Sequence, residues 1–311
     1  MKLMTVKGLT RAQLRGFSIV PLLTPVTADG QIDEPAIGRL IEHILAGGCQ
    51  GLMVCGTTGE FASLTVEDRI RLVRLAVTTV RGRGVVFGGI GDTSPAHSLR
   101  LAREFLAAGA DAVVANLPSY YPLTPEMMEK YFSGLADQIA GPVYLYNIPQ
   151  TTKQSIPLDV IERLSHHPRI VGLKDSEPDG ARQEQVCRMF AGRPDFSVFC
   201  GSIIFTARAM RAGADGFIPG AGNFAPGLTR DLMAKLVAGD TAAADALQAR
   251  IDAVNATYQK GRTISQLFCA LKAILEIHGL ARRDMFPPLL PCTDAEVEQI
   301  RGQLRELGLI K

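Results

Sequence analysis

Short apolar runs alternate along this chain with longer segments whose apolar residues recur at helical spacing. Residues 17–22, 51–54, 85–88, 112–115, 143–146, 170–174, 196–199 and 216–218 form the short runs. Runs apolar on both faces, bounded by turn residues, are the pattern of buried parallel strands. Helices are expected at 35–46, 66–80, 95–108, 125–139, 157–165, 180–190, 202–212 and 226–238. In the first of these, Ile37, Leu40, Ile41 and Ile44 fall on one face. Thr65 and Asp68 make a capping-box arrangement ahead of the second. The phrases Ala108-Gly109-Ala110-Asp111 and Ala212-Gly213-Ala214-Asp215 each place a glycine where a helix ends before a strand.

Eight βα units in succession predict an α/β chain folded as a closed (β/α)8 TIM barrel. The rival is an open doubly wound sheet binding a dinucleotide. It requires G-x-G-x-x-G after a strand, a spacing that Gly88-Gly89-Ile90-Gly91-Asp92 lacks. Residues 1–15 read as an N-terminal arm and 16–239 as the barrel. Residues 240–311 read as a C-terminal helical extension, with helices at 242–258, 265–278 and 294–307.

In such a barrel the chemistry sits at the C-terminal ends of the strands. Lys174 closes an apolar run there, where partial desolvation of its ammonium would release a nucleophilic amine, the requirement for Schiff-base formation. Cys55-Gly56-Thr57-Thr58-Gly59-Glu60 follows the second strand. Its two glycines let backbone approach a ligand and its two hydroxyls suit a small carboxylate or phosphate. The Gly-Lys-Ser/Thr ending of a P-loop is missing. Alternation is expected to point one tyrosine of Tyr144-Leu145-Tyr146 inward. Tyr146, at the rim, is the better placed to shuttle protons beside an amine. Carboxylate nest, phenol and amine on one rim suit Schiff-base chemistry on a small 2-oxo acid.

Composition narrows the field. A formal charge of +2, six per cent aromatics and no Trp give neither a basic stripe nor a stacking platform, so no nucleic-acid partner is expected. The apolar runs are too short to span a bilayer, and the first residues lack the apolar core of a secretory signal. Six scattered cysteines without a CxxC pair read as reduced, mostly buried residues of a cytoplasmic protein. Five histidines without HExxH spacing predict no metal site.

With these motifs in order, the chain resembles the dihydrodipicolinate synthase and N-acetylneuraminate lyase superfamily of pyruvate-dependent class I aldolases. The resemblance spans roughly residues 14–310. It rests on Leu23-Thr24-Pro25, Gly56-Thr57-Thr58-Gly59-Glu60, Tyr146-Asn147-Ile148-Pro149, Gly172-Leu173-Lys174-Asp175 and Gly220-Ala221-Gly222-Asn223. It implies that Lys174 forms the imine with pyruvate without a separate cofactor, that Thr57 and Thr58 hold the pyruvate carboxylate, and that Tyr146 relays protons. It implies a second relay tyrosine, Tyr120 or its neighbour Tyr121, lent by another subunit of a homotetramer. Ile218 matches a position whose backbone approaches pyruvate. Dihydrodipicolinate synthases carry an arginine where this chain has Thr151. N-acetylneuraminate lyases carry acidic residues where it has Ser202 after Gly201. The chain therefore looks most like the branch acting on 2-keto-3-deoxy sugar acids, with Thr151 and Ser202 expected to bond a small hydroxyaldehyde. Dihydrodipicolinate synthase activity, a related imine-based dehydratase or deaminase, and a non-catalytic 2-oxo acid-binding barrel are the alternatives.

Overall fold

Strands that are apolar on both faces must be covered on both, and this chain does so by closing its sheet. The computed structural model describes residues 6–311. Its strands are β1 (Phe17–Pro21), β2 (Gly51–Val54), β3 (Val85–Gly89), β4 (Ala112–Asn116), β5 (Val143–Asn147), β6 (Ile170–Asp175), β7 (Ser197–Cys200) and β8 (Gly216–Phe217). All pair in parallel in chain order, and β8 returns to β1 to close the barrel. Helices lie between the strands, with their apolar faces in the large core around the barrel.

The barrel interior is a second, smaller core. Ile19, Met53, Phe87, Val114, Tyr144 and Phe199 pack together inside it. The Phe87 and Tyr144 rings stand 4.9 Å apart, and Phe199 meets Phe87 edge-on at 6.2 Å. A side chain at Gly172 would come within 2.3 Å of the Tyr144 ring, so this glycine makes room for the aromatic layer. Both Tyr144 and Tyr146 face inward, a correction to the expectation of one. Residues two apart on a strand share a face. Tyr144 lies deep, its hydroxyl 2.6 Å from Ser197 Oγ, and Tyr146 lies nearer the rim.

Two local details also differ from the sequence pattern. Thr65 caps its helix by accepting from the Asp68 amide, but only half of a capping box forms. The Asp68 carboxylate, a methylene shorter than the usual Glu, takes the Thr65 hydroxyl at 2.6 Å. The helix expected over 202–212 is a 3-10 turn, Ile203–Phe205, followed by the helix Thr206–Arg211. The chain ends in the helices Thr241–Gln259, Ile264–Ile277 and Asp294–Glu306. All six cysteines are buried free thiols, and no helix of the described residues is long and apolar enough to cross a membrane.

The N-terminal end of the barrel is sealed by the segment before β1. Val6 and Leu14 join the interior core, and the helix Arg11–Leu14 brings Arg11 onto Asp215. Arg11 Nε lies 2.8 and 2.9 Å from the two carboxylate oxygens. Its other nitrogens donate to the carbonyls of Phe190, Arg193 and Gly213. Asp215 also accepts from the Val198 amide of β7. Arg11→Ala would leave a buried carboxylate unpaired. We expect it to cost about 3–5 kcal/mol of stability in urea unfolding. A titrating group lies in the extension. His278 caps the helix Ile264–Ile277 beside Phe224, and burial holds its imidazole below the usual range. The unfolded chain then takes up the proton first, so stability should fall as pH drops through and below about 6.5. His278→Phe should flatten that part of the Tm–pH curve.

Candidate active site

Tyr146 and Lys174 are register partners on β5 and β6. Adjacent parallel strands lie about 4.8 Å apart, so backbone pairing alone brings the phenol and the amine together. Lys174 Nζ lies 4.1 Å from the centroid of the Tyr146 ring and 3.4 Å from Met53 Sδ of β2. Lys174 is 4% exposed and makes no ion pair among the described residues. The Tyr146 hydroxyl lies 3.4 Å from Thr57 Oγ1, linking the phenol to the turn after β2.

The next register pair locks this arrangement. Asn147 Nδ2 donates to Asp175 Oδ1 at 2.8 Å and to Glu177 Oε2 at 2.9 Å, and Asn147 Oδ1 accepts from the Ile156 amide. Burial pushes the Asp175 carboxyl up from its ordinary range. The Gly201 amide and the Gln183 side chain both donate to the Asp175 carbonyl, so the end of β6 is held from several sides.

Thr57–Gly59 forms a 3-10 turn closed by the Gly59 and Glu60 amides, and Thr57 and Thr58 face the same cleft as Lys174. Cys55 and Glu60 bracket the turn in the left-handed region, each at φ 56°, a conformation that costs a non-glycine residue energy and needs support. Cys55 is buried against the Arg69 carbonyl, and burial pushes its thiol up to about 12. Glu60 is held more firmly. One carboxylate oxygen lies 2.5 Å from Lys272 Nζ of the helix Ile264–Ile277, and the other accepts from the Phe286 amide at 3.1 Å. Lys272 also donates to the Asp284 carbonyl. Both side chains are 0% exposed, and loss of solvation pushes the Glu60 carboxyl up and the Lys272 ammonium down despite their attraction.

The cleft has a volume of about 180 Å³ and opens at the C-terminal ends of the strands. It gathers Thr57, Thr58, Tyr146, Lys174, Gly201, Ser202 and Ile218 from the residues expected on sequence. Gly56 stands behind the turn against Met53. Thr151 is not among the lining residues. It lies in the short helix Pro149–Thr152 with its hydroxyl donating to the Ile148 carbonyl, and Gln150 lines the cleft in its place. Tyr120 is 78% exposed, stacked edge-on with Tyr121 at 5.0 Å, and does not line the cleft of its own chain. Ser176, Tyr258 and the helix Ile264–Ile277 line it without having been singled out from sequence. That helix contributes Ile264, Leu267, Phe268 and Leu271, an i, i+3, i+4, i+7 stripe that reads equally well as ordinary core. Among the described residues, Lys174 is the one lysine, arginine, histidine or acidic side chain lining the cleft. No three His, Cys, Asp or Glu residues among them are grouped to hold a metal ion.

The Dihydrodipicolinate synthetase family profile matches residues 14–307. The chain belongs to this family. Its members are class I lyases, and this chain is an enzyme of that kind. The 4-hydroxy-tetrahydrodipicolinate synthase of Halorhodospira halophila is 32% identical over 302 residues, covering 94% of this chain and 97% of the relative. A probable 2-dehydro-3-deoxy-D-pentonate aldolase of Escherichia coli K12, YjhH, is 30% identical over 295 residues, covering 94% and 97%. Among solved structures, YagE of E. coli K12, a dihydrodipicolinic acid synthase family protein crystallised with pyruvate, superposes with a TM-score of 0.90 at 29% identity. It covers 94% of this chain and 99% of that one. Members of the one family thus carry different substrate names.

The Glu60–Lys272 pair can be taken apart one partner at a time. Lys272→Met should destabilise by about 3–5 kcal/mol, because it strands a buried carboxylate. Combining it with Glu60→Gln should recover most of that loss, as read in a double-mutant cycle of urea unfolding.

Proposed function

We propose that the enzyme is a reversible, pyruvate-dependent aldolase that cleaves a short 2-oxo-3-deoxy hydroxy acid into pyruvate and an uncharged aldehyde. The observation that carries this reading is the Lys174 amine, buried against the Tyr146 ring without an ionic partner among the described residues, with the Thr57 hydroxyl on the phenol. In the cleavage direction the amine adds to the C2 carbonyl and water leaves, giving the imine. The C4 hydroxyl then loses its proton, the C3–C4 bond breaks, and its electron pair enters the imine to form an enamine while the aldehyde departs. Protonation at C3 and hydrolysis release pyruvate and free the lysine. Tyr146 is placed to move protons to and from the oxygen at C2, and the Thr57 and Thr58 hydroxyls to receive the carboxylate. No cofactor enters this sequence, since the imine itself is the electron sink.

The names of several relatives favour a synthase acting on aspartate semialdehyde. Against it stands the cleft lining, in which no cation besides Lys174 is available for a second carboxylate among the described residues. A protein that only binds a 2-oxo acid has no need of an amine held in this way. We further infer that Tyr120 serves a neighbouring copy within a homotetramer. Support comes from two aromatic rings, Tyr120 and Tyr121, turned to solvent away from their own cleft.

Borohydride reduction in the presence of pyruvate tests the central claim. A single pyruvate-derived adduct should map to Lys174 and vanish in Lys174→Ala; an adduct elsewhere, or none in folded protein, removes the mechanism. Tyr146→Phe should keep the fold and lower kcat roughly 100- to 10,000-fold.

A further inference from the structure

The cleft has two halves of different character. Thr57, Thr58, Tyr146 and Lys174 form the half that would hold pyruvate. Into the same cleft the helix Ile264–Ile277 presents Ile264, Leu267, Phe268 and Leu271, and the turn after β7 adds Ile204 and Phe205. Resting on the imine reading above, we propose that the aldehyde released by this enzyme carries an apolar alkyl or aryl group. Its substrates are then 4-hydroxy-2-oxo acids that end in hydrocarbon, not in a polyhydroxylated chain.

These residues are not simply core. Phe268 and Leu271 are buried, but Ile264, Leu267 and Phe205 are only partly so, and Ile204 is 49% exposed. Their remaining apolar surface is what an apolar group would cover. A sugar chain brings a hydroxyl on nearly every carbon, and each one buried needs a partner. Few are free. Ser202 Oγ already donates to the Glu177 carbonyl at 3.1 Å, and Gln259 Oε1 already accepts from Asn255 at 2.5 Å. The buried Tyr258 hydroxyl has no hydrogen-bond partner among the described residues. With the Gln150 side chain, Ser176 Oγ and Gln259 Nε2, it makes up a small polar set beside the six apolar side chains. The apolar majority of this lining suits an acid that ends in hydrocarbon.

The reaction balances without another reagent. The enamine carbon attacks the aldehyde carbon, the new C–C bond forms, the aldehyde oxygen takes a proton, and water hydrolyses the imine.

The test compares butanal and benzaldehyde with glycolaldehyde and glyceraldehyde as partners for pyruvate, with product identified by mass and kcat/KM measured for each. An apolar aldehyde should exceed both hydroxyaldehydes by roughly 10-fold or more. Leu267→Gln, and independently Ile204→Ser at its half-exposed position, should each shrink that ratio several-fold while the borohydride adduct on Lys174 still forms. If the adduct forms but the hydroxyaldehydes are preferred, no aldehyde is accepted, or neither variant moves the ratio, the apolar reading is overturned and the imine reading stands. Absence of the adduct would instead sink the imine reading, so the two failures are distinguishable.

Discussion

Two charges withdrawn from water, on Glu60 and Lys272, join the parts of the chain from which the cleft is built. Glu60 ends the Thr57–Thr58 turn in a left-handed conformation that is unfavourable in isolation. Lys272 lies on the helix that lines the far side of the same cleft. Desolvation of each group is recovered only if the other is in place and the remaining valences are met, here by the Phe286 amide and the Asp284 carbonyl. A buried pair of this kind is weak evidence of net stability but a strong constraint on geometry. It makes the hydroxyl-bearing turn and the C-terminal extension one unit.

The two halves of the cleft are supported by different means. The amine and the phenol are fixed by strand register and by the Asn147–Asp175 bond directly beyond them. Their spacing follows from sheet geometry, which changes in the surrounding loops leave intact. The apolar part of the lining rests on one helix face and one 3-10 turn, outside the strands that carry the amine and the phenol. This separation fits a family whose members carry different substrate names over a shared fold.

Much of this was legible in the sequence because parallel strands are buried on both faces and so read as unbroken apolar runs, and because the chemistry falls where each run ends. Lys174, Tyr146 and the two threonines could be placed on one rim for that reason. What was not legible depends on facing or on contacts between distant parts of the chain. Tyr144 and Tyr146 stand two apart on one strand and share its inward face, so alternation does not separate them. Gln150, not Thr151, faces the cleft because a single helical turn sets the direction of each side chain, and nothing in Pro149-Gln150-Thr151-Thr152 reveals it. The Glu60–Lys272 pair joins the last residue of the threonine motif to a helix far along the chain, and nothing in either segment points to the other. The stripe Ile264, Leu267, Phe268, Leu271 has the same periodicity whether it meets core or ligand.

The register pairing of Tyr146 with Lys174 bears on how the enzyme would fail on heating. Two groups carried by neighbouring strands in the middle of a closed sheet separate only when the sheet itself comes apart. The terminal helices are held by other means, packing in the outer core and the buried Glu60–Lys272 pair that ties them to the turn after β2. Heating would therefore release the helix face only by exposing those two groups, which also frees the turn that carries the threonines. Selectivity and turnover would then be lost together, with one half-life.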